Sequence, residues 1–221
     1  MTRPVIEVFD NPRAAAQEAA DAIAAALRDA VLETGRATFV ATGGRTPGPV
    51  YDLLARADLP WDKVDVTLTD ERWVDPHSPE SNERLVRERL FVERAAAAAF
   101  TPLKSAHDTP QAGAVEAEGR LDRILPADAV LLGMGEDGHV ASLFPGGPAE
   151  GEGLAVGAPA RDPAPVQPRL SLTTRALLAR QLIVVLVGGQ AKRRVLEDGQ
   201  GLPVHTLLER ATSPVRVLWS P

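Results

Sequence analysis

The stretch that most limits what this chain can fold into is AVLLGMGEDGHVASLFPGG, residues 129–147. Its first four residues are apolar and glycine follows at once, so the run reads as a short buried strand. Behind it come Gly133, Gly135 and Gly138, interleaved with Glu136, Asp137 and His139. In an open α/β sheet such a loop lies in the crevice past the carboxyl ends of the strands, where ligands bind. With no Cβ in the way, backbone N–H groups can close on an anionic or carbonyl oxygen. Asp137 and His139 add a carboxylate and an imidazole, and histidine is the side chain suited to proton transfer near neutral pH. On residue types alone, a glycine turn carrying a surface histidine explains these positions equally well.

Elsewhere the chain alternates short apolar runs with helical periods. Residues 4–9 read as a first strand, at a sheet edge because Pro4 cannot donate to a ladder. Asn11 is a good N-cap with Pro12 at the first helical position. Ala16, Ala19, Ala20, Ile23, Leu27, Ala30 and Val31 then recur at helical spacing up to Gly35. Strands follow over 36–42 and 64–69, with a helix from Thr46-Pro47 through Leu54 between them. DERWVDPHSPESN, from Asp70, reads as a long polar loop, and Ser78-Pro79 caps a helix running past Leu90. A further helix over 110–125 leads into the strand at 129–132. Residues 148–168, rich in Gly, Ala and Pro, read as a surface excursion with at most a short strand near 154–156. Extended structure resumes at 170–173. LIVVLV at 182–187 is a buried strand, followed by Gly188-Gly189 and a helix containing Lys192, and 215–219 closes the sheet. Strands alternating with helices specify an α/β fold, a single three-layer α/β/α domain over residues 1–221 with a mainly parallel, Rossmann-like sheet.

Bulk properties narrow the function. A length of 221 residues suits one core of this kind, and 44% hydrophobic with 24% charged residues is ordinary for a folded globule. A net charge of −6 argues against nucleic acid and anionic membranes as partners, since both need a basic face. An anionic substrate would therefore need a local cluster of cations. There is no cysteine to form a disulfide or a thiolate metal site, the N-terminus lacks a signal-peptide core, and no apolar run is long enough to span a membrane. A cytoplasmic, monomeric protein is the expectation. Glu136, Asp137 and His139 could chelate only weakly, and no other spacing suggests a metal.

Two more loops follow directly on strands. GGRTPG, residues 43–48, sits before a helix, where free N–H groups and the helix dipole favour a phosphate; an ordinary turn capped by Thr46 is the plainer alternative. It lacks the Gly-Lys-Ser/Thr ending of nucleotide-binding loops. TDERWV, residues 69–74, puts Asp70 and Arg72 at a strand end, either as reacting groups or as a minor surface ion pair. Arg169 and Lys192 are the remaining candidate cations. His77, His107 and His205 fall in no constellation.

The run GMGEDGHVASLFPG resembles the signature of the 6-phosphogluconolactonases, sugar-lactone hydrolases of the oxidative pentose phosphate pathway. GGRTP, DER, RLSLT from Arg169 and GGQAK ending at Lys192 resemble further segments of that family, in its order; Arg45 departs from the usual Ser or Asn, and Asn82 also resembles a family position. The resemblance implies an amino-sugar phosphate deaminase / ribose-5-phosphate isomerase-like fold. It implies hydrolysis of 6-phospho-D-glucono-1,5-lactone without cofactor or metal. His139 would be the general base, Asp137 or Asp70 would orient it, and Arg72 with glycine-loop N–H groups would face the developing oxyanion. Gly43, Gly44, Arg45, Thr46, Arg169 and Lys192 would hold the phosphate. Two rival readings are an amino-sugar phosphate isomerase/deaminase, whose motif carries a catalytic Glu where this chain has Phe144, and a non-catalytic sugar-phosphate sensor, which would need an attached DNA-binding segment.

Overall fold

The computed structural model describes residues 4–147, 153–158 and 167–221. Asn11 starts the first helix as its position dictates: its side chain accepts a hydrogen bond from the Ala14 N–H at 3.0 Å. Helix α1 (Pro12–Thr34) ends where Gly35 turns left-handed at φ 83°, its N–H bonding the Val31 carbonyl. The buried face of α1 is built mostly from alanines around Ile23 and Leu27, which lets the helix lie close against the central strands.

Those strands are β1 (Ile6–Val8), β2 (Ala37–Ala41), β3 (Val64–Leu68), β5 (Ala99–Phe100), β6 (Ala129–Leu132), β9 (Leu182–Gly188) and β10 (Val215–Ser220). Every pairing among them is parallel, in the order β1-β10-β9-β6-β2-β3-β5. A second sheet, β4 (Asp70–Arg72), β8 (Arg169–Leu172) and β7 (Ala155–Ala158), is antiparallel. The helices after α1 are α2 (Gly48–Leu54), α3 (Asn82–Arg89), α4 (Pro110–Leu121), α5 (Thr174–Leu177), α6 (Gln190–Asp198) and α7 (Pro203–Arg210). In β9, residues 182–187 are buried throughout, and each such aliphatic side chain contributes roughly 1.5–3 kcal/mol on leaving water. The expected mainly parallel α/β architecture is the one observed, with β1 at the edge that Pro4 suggested.

The strand order fixes where a ligand can sit. From β2 the chain runs outward through β3 to β5, then returns to the other side of β2 as β6 and runs outward through β9 to β10. The loops after β2 and β6 therefore part company, and a crevice opens between them at the carboxyl ends of the strands.

Several local expectations need correction. Asp70–Arg72 is a strand, not loop, because it pairs with β8, a partner remote in sequence. Helix α3 starts at Asn82 behind the N-cap Ser81, not at Ser78-Pro79, since the Ser81 hydroxyl takes the Arg84 N–H at 3.2 Å. Helix α2 starts at Gly48, and Thr46 makes no capping bond. The Gly48 N–H goes to the Arg45 carbonyl and Pro49 has no N–H to offer. Helix α4 stops at Leu121, ahead of Pro126, which disfavours helical geometry in the residue before it. The strand foreseen at 154–156 is β7, displaced by one residue at its start; the rest of the excursion falls largely outside the described residues. Helix α7 and the short β5 carry no sequence assignment.

Candidate active site

The crevice is a cleft of about 300 Å³. Its walls are the loop from Thr42 to Pro47, the loop carrying Gly133, Gly135 and His139, the ends of β4 and β8, Asn82 at the start of α3, and Lys192 on α6. Gly43, Gly44, Arg45, Thr46, Asp70, Arg72, His139, Arg169 and Lys192 all line it. Asp137 stands behind His139. Segments spread over most of the chain thus converge as the motifs suggested.

The His139 loop is a tight turn. The Gly135 N–H donates to the His139 carbonyl at 2.9 Å, and the Gly138 N–H to the Gly135 carbonyl at 3.1 Å. Gly138 is left-handed at φ 80°. Leu202 packs so closely behind Gly138 that a Cβ there would meet its side chain at 2.6 Å, and the Val204 N–H bonds the Gly138 carbonyl at 3.1 Å. Within this turn the His139 Nδ1 lies 2.5 Å from Asp137 Oδ1, which also accepts the His139 N–H at 3.2 Å. Partial burial pushes the Asp137 carboxyl up, but these hydrogen bonds outweigh it and hold the group below its ordinary value. A carboxylate on Nδ1 fixes the tautomer and leaves Nε2 with the lone pair. Of the two aspartates Asp137 and Asp70, Asp137 is the one that touches the imidazole. The glycine amides expected to meet an oxyanion are in part committed, since Gly135 and Gly138 use theirs inside the turn.

Asp70 faces other partners. Its Oδ2 accepts from the Ser142 hydroxyl at 2.6 Å and its Oδ1 from the Thr69 hydroxyl at 2.9 Å. The Asn82 amide donates to the Asp70 carbonyl at 2.8 Å and fills the space beside Gly43, where a Cβ would lie 2.0 Å from the Asn82 Oδ1. Asn82 therefore ties β4 to the loop after β2 and caps nothing.

The cleft is cationic on an acidic protein. Arg45, Arg72, Arg169 and Lys192 line it against one carboxylate, Asp70. Arg72 bonds the Glu80 carbonyl through Nη1, and its buried Nε has no partner among the described residues. Burial pulls the Arg169 guanidinium below its ordinary value; Asp70 works against that shift and Arg72 adds to it. A larger cavity of about 410 Å³, between α6, α7 and the starts of β1 and β10, includes Glu197, Asp198 and Glu209 in its lining and no Lys or Arg. For an anion the smaller cleft is the site. Among the described residues no three His, Asp or Glu side chains come together to hold a metal.

Two further residues shape the site. Glu71 is buried and accepts from the Asn82 N–H at 2.8 Å, the Glu83 N–H at 2.7 Å, the Ser81 hydroxyl at 2.9 Å and the Arg72 N–H at 2.7 Å. Burial pushes its carboxyl up against these four donors. It clamps the start of α3 to β4 and so sets where Asn82 and Arg72 stand. Phe144 lies with its ring centroid 4.6 Å from that of His139, and the Arg169 guanidinium carbon is 5.7 Å from the same ring.

A switch-point cleft that holds an imidazole–carboxylate pair beside a cluster of cations defines an α/β enzyme for a small anionic substrate. Comparison with known proteins narrows this class. Residues 10–219 match the family described as glucosamine-6-phosphate isomerases/6-phosphogluconolactonase, and the chain belongs to that family. It is 45% identical to a 6-phosphogluconolactonase of Caulobacter vibrioides over 97% of both chains. It is 38% identical to one of Rhizobium meliloti over 98% of both. The fold superposes on the crystal structure of a 6-phosphogluconolactonase from Shewanella baltica with a TM-score of 0.93, at 37% identity, covering 100% of this chain and 99% of that one.

Proposed function

We propose that this chain hydrolyses 6-phospho-D-glucono-1,5-lactone to 6-phospho-D-gluconate, the second step of the oxidative pentose phosphate pathway, as a carboxylic ester hydrolase. The observation that carries the reading is the Asp137–His139 pair opening onto the same cleft as Arg45, Arg72, Arg169 and Lys192. Full-length similarity to proteins named 6-phosphogluconolactonase supports it.

An ester carbonyl needs an activated water, charge stabilisation at the carbonyl oxygen and a proton for the departing ring oxygen. His139 Nε2 takes a proton from water as its oxygen bonds to the lactone carbonyl carbon. As the tetrahedral intermediate collapses, the bond to the ring oxygen breaks and the imidazolium returns that proton to it. Asp137 stabilises the imidazolium in between. Arg72 faces the developing oxyanion. Arg169, Lys192, Arg45 and the loop of Gly43, Gly44 and Thr46 hold the phosphate, whose binding fixes the carbonyl against the base. Phe144 favours this reaction over amino-sugar deamination, since a phenyl ring beside His139 cannot transfer the proton that a Glu would. Residues from Thr42 to Lys192 line one cleft, which supports a single catalytic domain.

The test is a coupled assay in which the dehydrogenase of glucose 6-phosphate generates the lactone and its loss is followed with and without this protein. Acceleration well above spontaneous hydrolysis, lost in His139→Ala, is expected. No acceleration overturns the reading and directs the search to ammonia release from glucosamine 6-phosphate.

A further inference from the structure

Ser142 stands between two charges. Its hydroxyl donates to Asp70 Oδ2 at 2.6 Å and accepts from Arg169 Nη1 at 3.4 Å, while Nη1 stays 4.0 Å from the same carboxylate oxygen. A direct guanidinium–carboxylate hydrogen bond would close to about 2.7–2.9 Å. All three residues are buried: Asp70 is 5%, Ser142 3% and Arg169 8% exposed. A hydroxyl fits this place because it has one proton to give the carboxylate and lone pairs to offer the guanidinium. It is held from behind, as the Ser142 N–H donates to the Ser171 hydroxyl at 3.1 Å, which in turn donates to the Leu172 carbonyl at 2.9 Å. Thr69 satisfies the other oxygen of Asp70, so that carboxylate has two partners without drawing on the arginine.

We infer that Ser142 is a positioning residue for Arg169. Its hydroxyl keeps Asp70 and Arg169 from closing into a direct ion pair, and so leaves the guanidinium charge and donors to an anion in the cleft. The inference rests on the proposed function only in taking that anion to be the phosphate of the substrate.

The test uses Ser142→Ala, Asp70→Asn, the double variant S142A/D70N, and Ser142→Thr, which keeps the hydroxyl. Affinity for 6-phospho-D-gluconate is read by calorimetry, and the Arg169–Asp70 distance from a crystal structure of the Ser142→Ala protein. In Ser142→Ala the distance contracts to about 3 Å, the length of a direct ion pair. Binding weakens about tenfold, and the loss falls on KM rather than kcat. In the double variant no carboxylate remains to capture the arginine, so affinity returns to within about threefold of D70N alone, a coupling that a merely structural loss would not give. Ser142→Thr binds as the unaltered protein does. Unchanged affinity in Ser142→Ala, additive losses in the double variant, or an Arg169–Asp70 separation still near 4.0 Å would overturn the inference. If the unaltered protein neither binds the ligand nor hydrolyses the lactone, the functional reading fails, while the Ser142→Ala distance still decides the role of the hydroxyl.

Discussion

Arg72 and Arg169 are direct cross-strand partners in the β4–β8 pair, two guanidinium-bearing residues in register on antiparallel strands. Like charges so placed repel one another. Asp70, two residues from Arg72 on the same strand, eases but does not cancel the repulsion, since one carboxylate stands against two guanidinium groups. An anion in the cleft would be stabilised by both cations at once.

Arg169→Ala is therefore expected to weaken 6-phospho-D-gluconate binding by about 10- to 100-fold, the range of a lost charge-assisted hydrogen bond, and Arg72→Ala to lower kcat by about 10- to 100-fold. Calorimetric titration and steady-state kinetics check this; unchanged affinity in the first variant removes Arg169 from the phosphate, and unchanged kcat in the second removes Arg72 from the oxyanion.

His139→Ala should lower kcat by about 10²–10⁴-fold, the usual contribution of a positioned proton-transfer group. Asp137→Asn should lower kcat less while leaving KM near its original value, because the amide still holds the ring but cannot stabilise its charged form. Steady-state kinetics against the spontaneous background separates the two.

The Asp137 carboxyl, held low by His139, gives a pH signature. A depressed acid contributes stability that is fully present above its unfolded-state value and is lost as pH falls through the folded one. The stability difference between the unaltered protein and Asp137→Asn should shrink as the pH falls below roughly 4. Denaturant titrations below about pH 5 test it; a difference that grows as pH falls below roughly 4 would contradict the sign.

Gly135→Ala should act like a mutation of His139 itself. The added methyl would lie 2.2 Å from both Cε1 and Nδ1 of the imidazole and 2.7 Å from Asp137 Oδ1, so the pair must separate. A loss of kcat of about 10²-fold or more with little change in Tm is the expected outcome.

Glu71→Ala should act on the fold. It strands the N–H groups of Asn82, Glu83 and Arg72 and the Ser81 hydroxyl. A loss of about 3 kcal/mol corresponds to a fall in Tm of roughly 6–12 °C by calorimetry.

What the sequence discloses and what it hides divide along one physical line. Asn11, Pro12 and Gly35 act within a few residues of themselves, and the apolar runs that become β6 and β9 announce burial directly, so α1 and the central strands are legible. The His139 turn is legible for the same reason: its partners are Gly135 and Asp137. Asp70–Arg72 is polar and three residues long, and only pairing with a strand far along the chain makes it one. Ser142 lies 72 positions from Asp70 and 27 from Arg169, so nothing near it in the sequence marks its place between them. Ser78 and Ser81 are equally good caps until Glu71 reaches across to the amides of Asn82 and Glu83. Helix α7 owes its place to packing against the Gly138 turn, a contact no local pattern encodes.

The pairing of β1 with β10 bears on how the molecule is made. Ile6 lies beside Val217, and Arg216 binds both Glu7 and Glu18, so β1 waits for a ladder partner some 200 residues further along the chain. A nascent chain on the ribosome can assemble the strands from β2 to β9 while its N-terminal segment waits unpaired. That edge of the sheet closes only once residues 215–220 are in place, so a lesion in β10 is felt at β1.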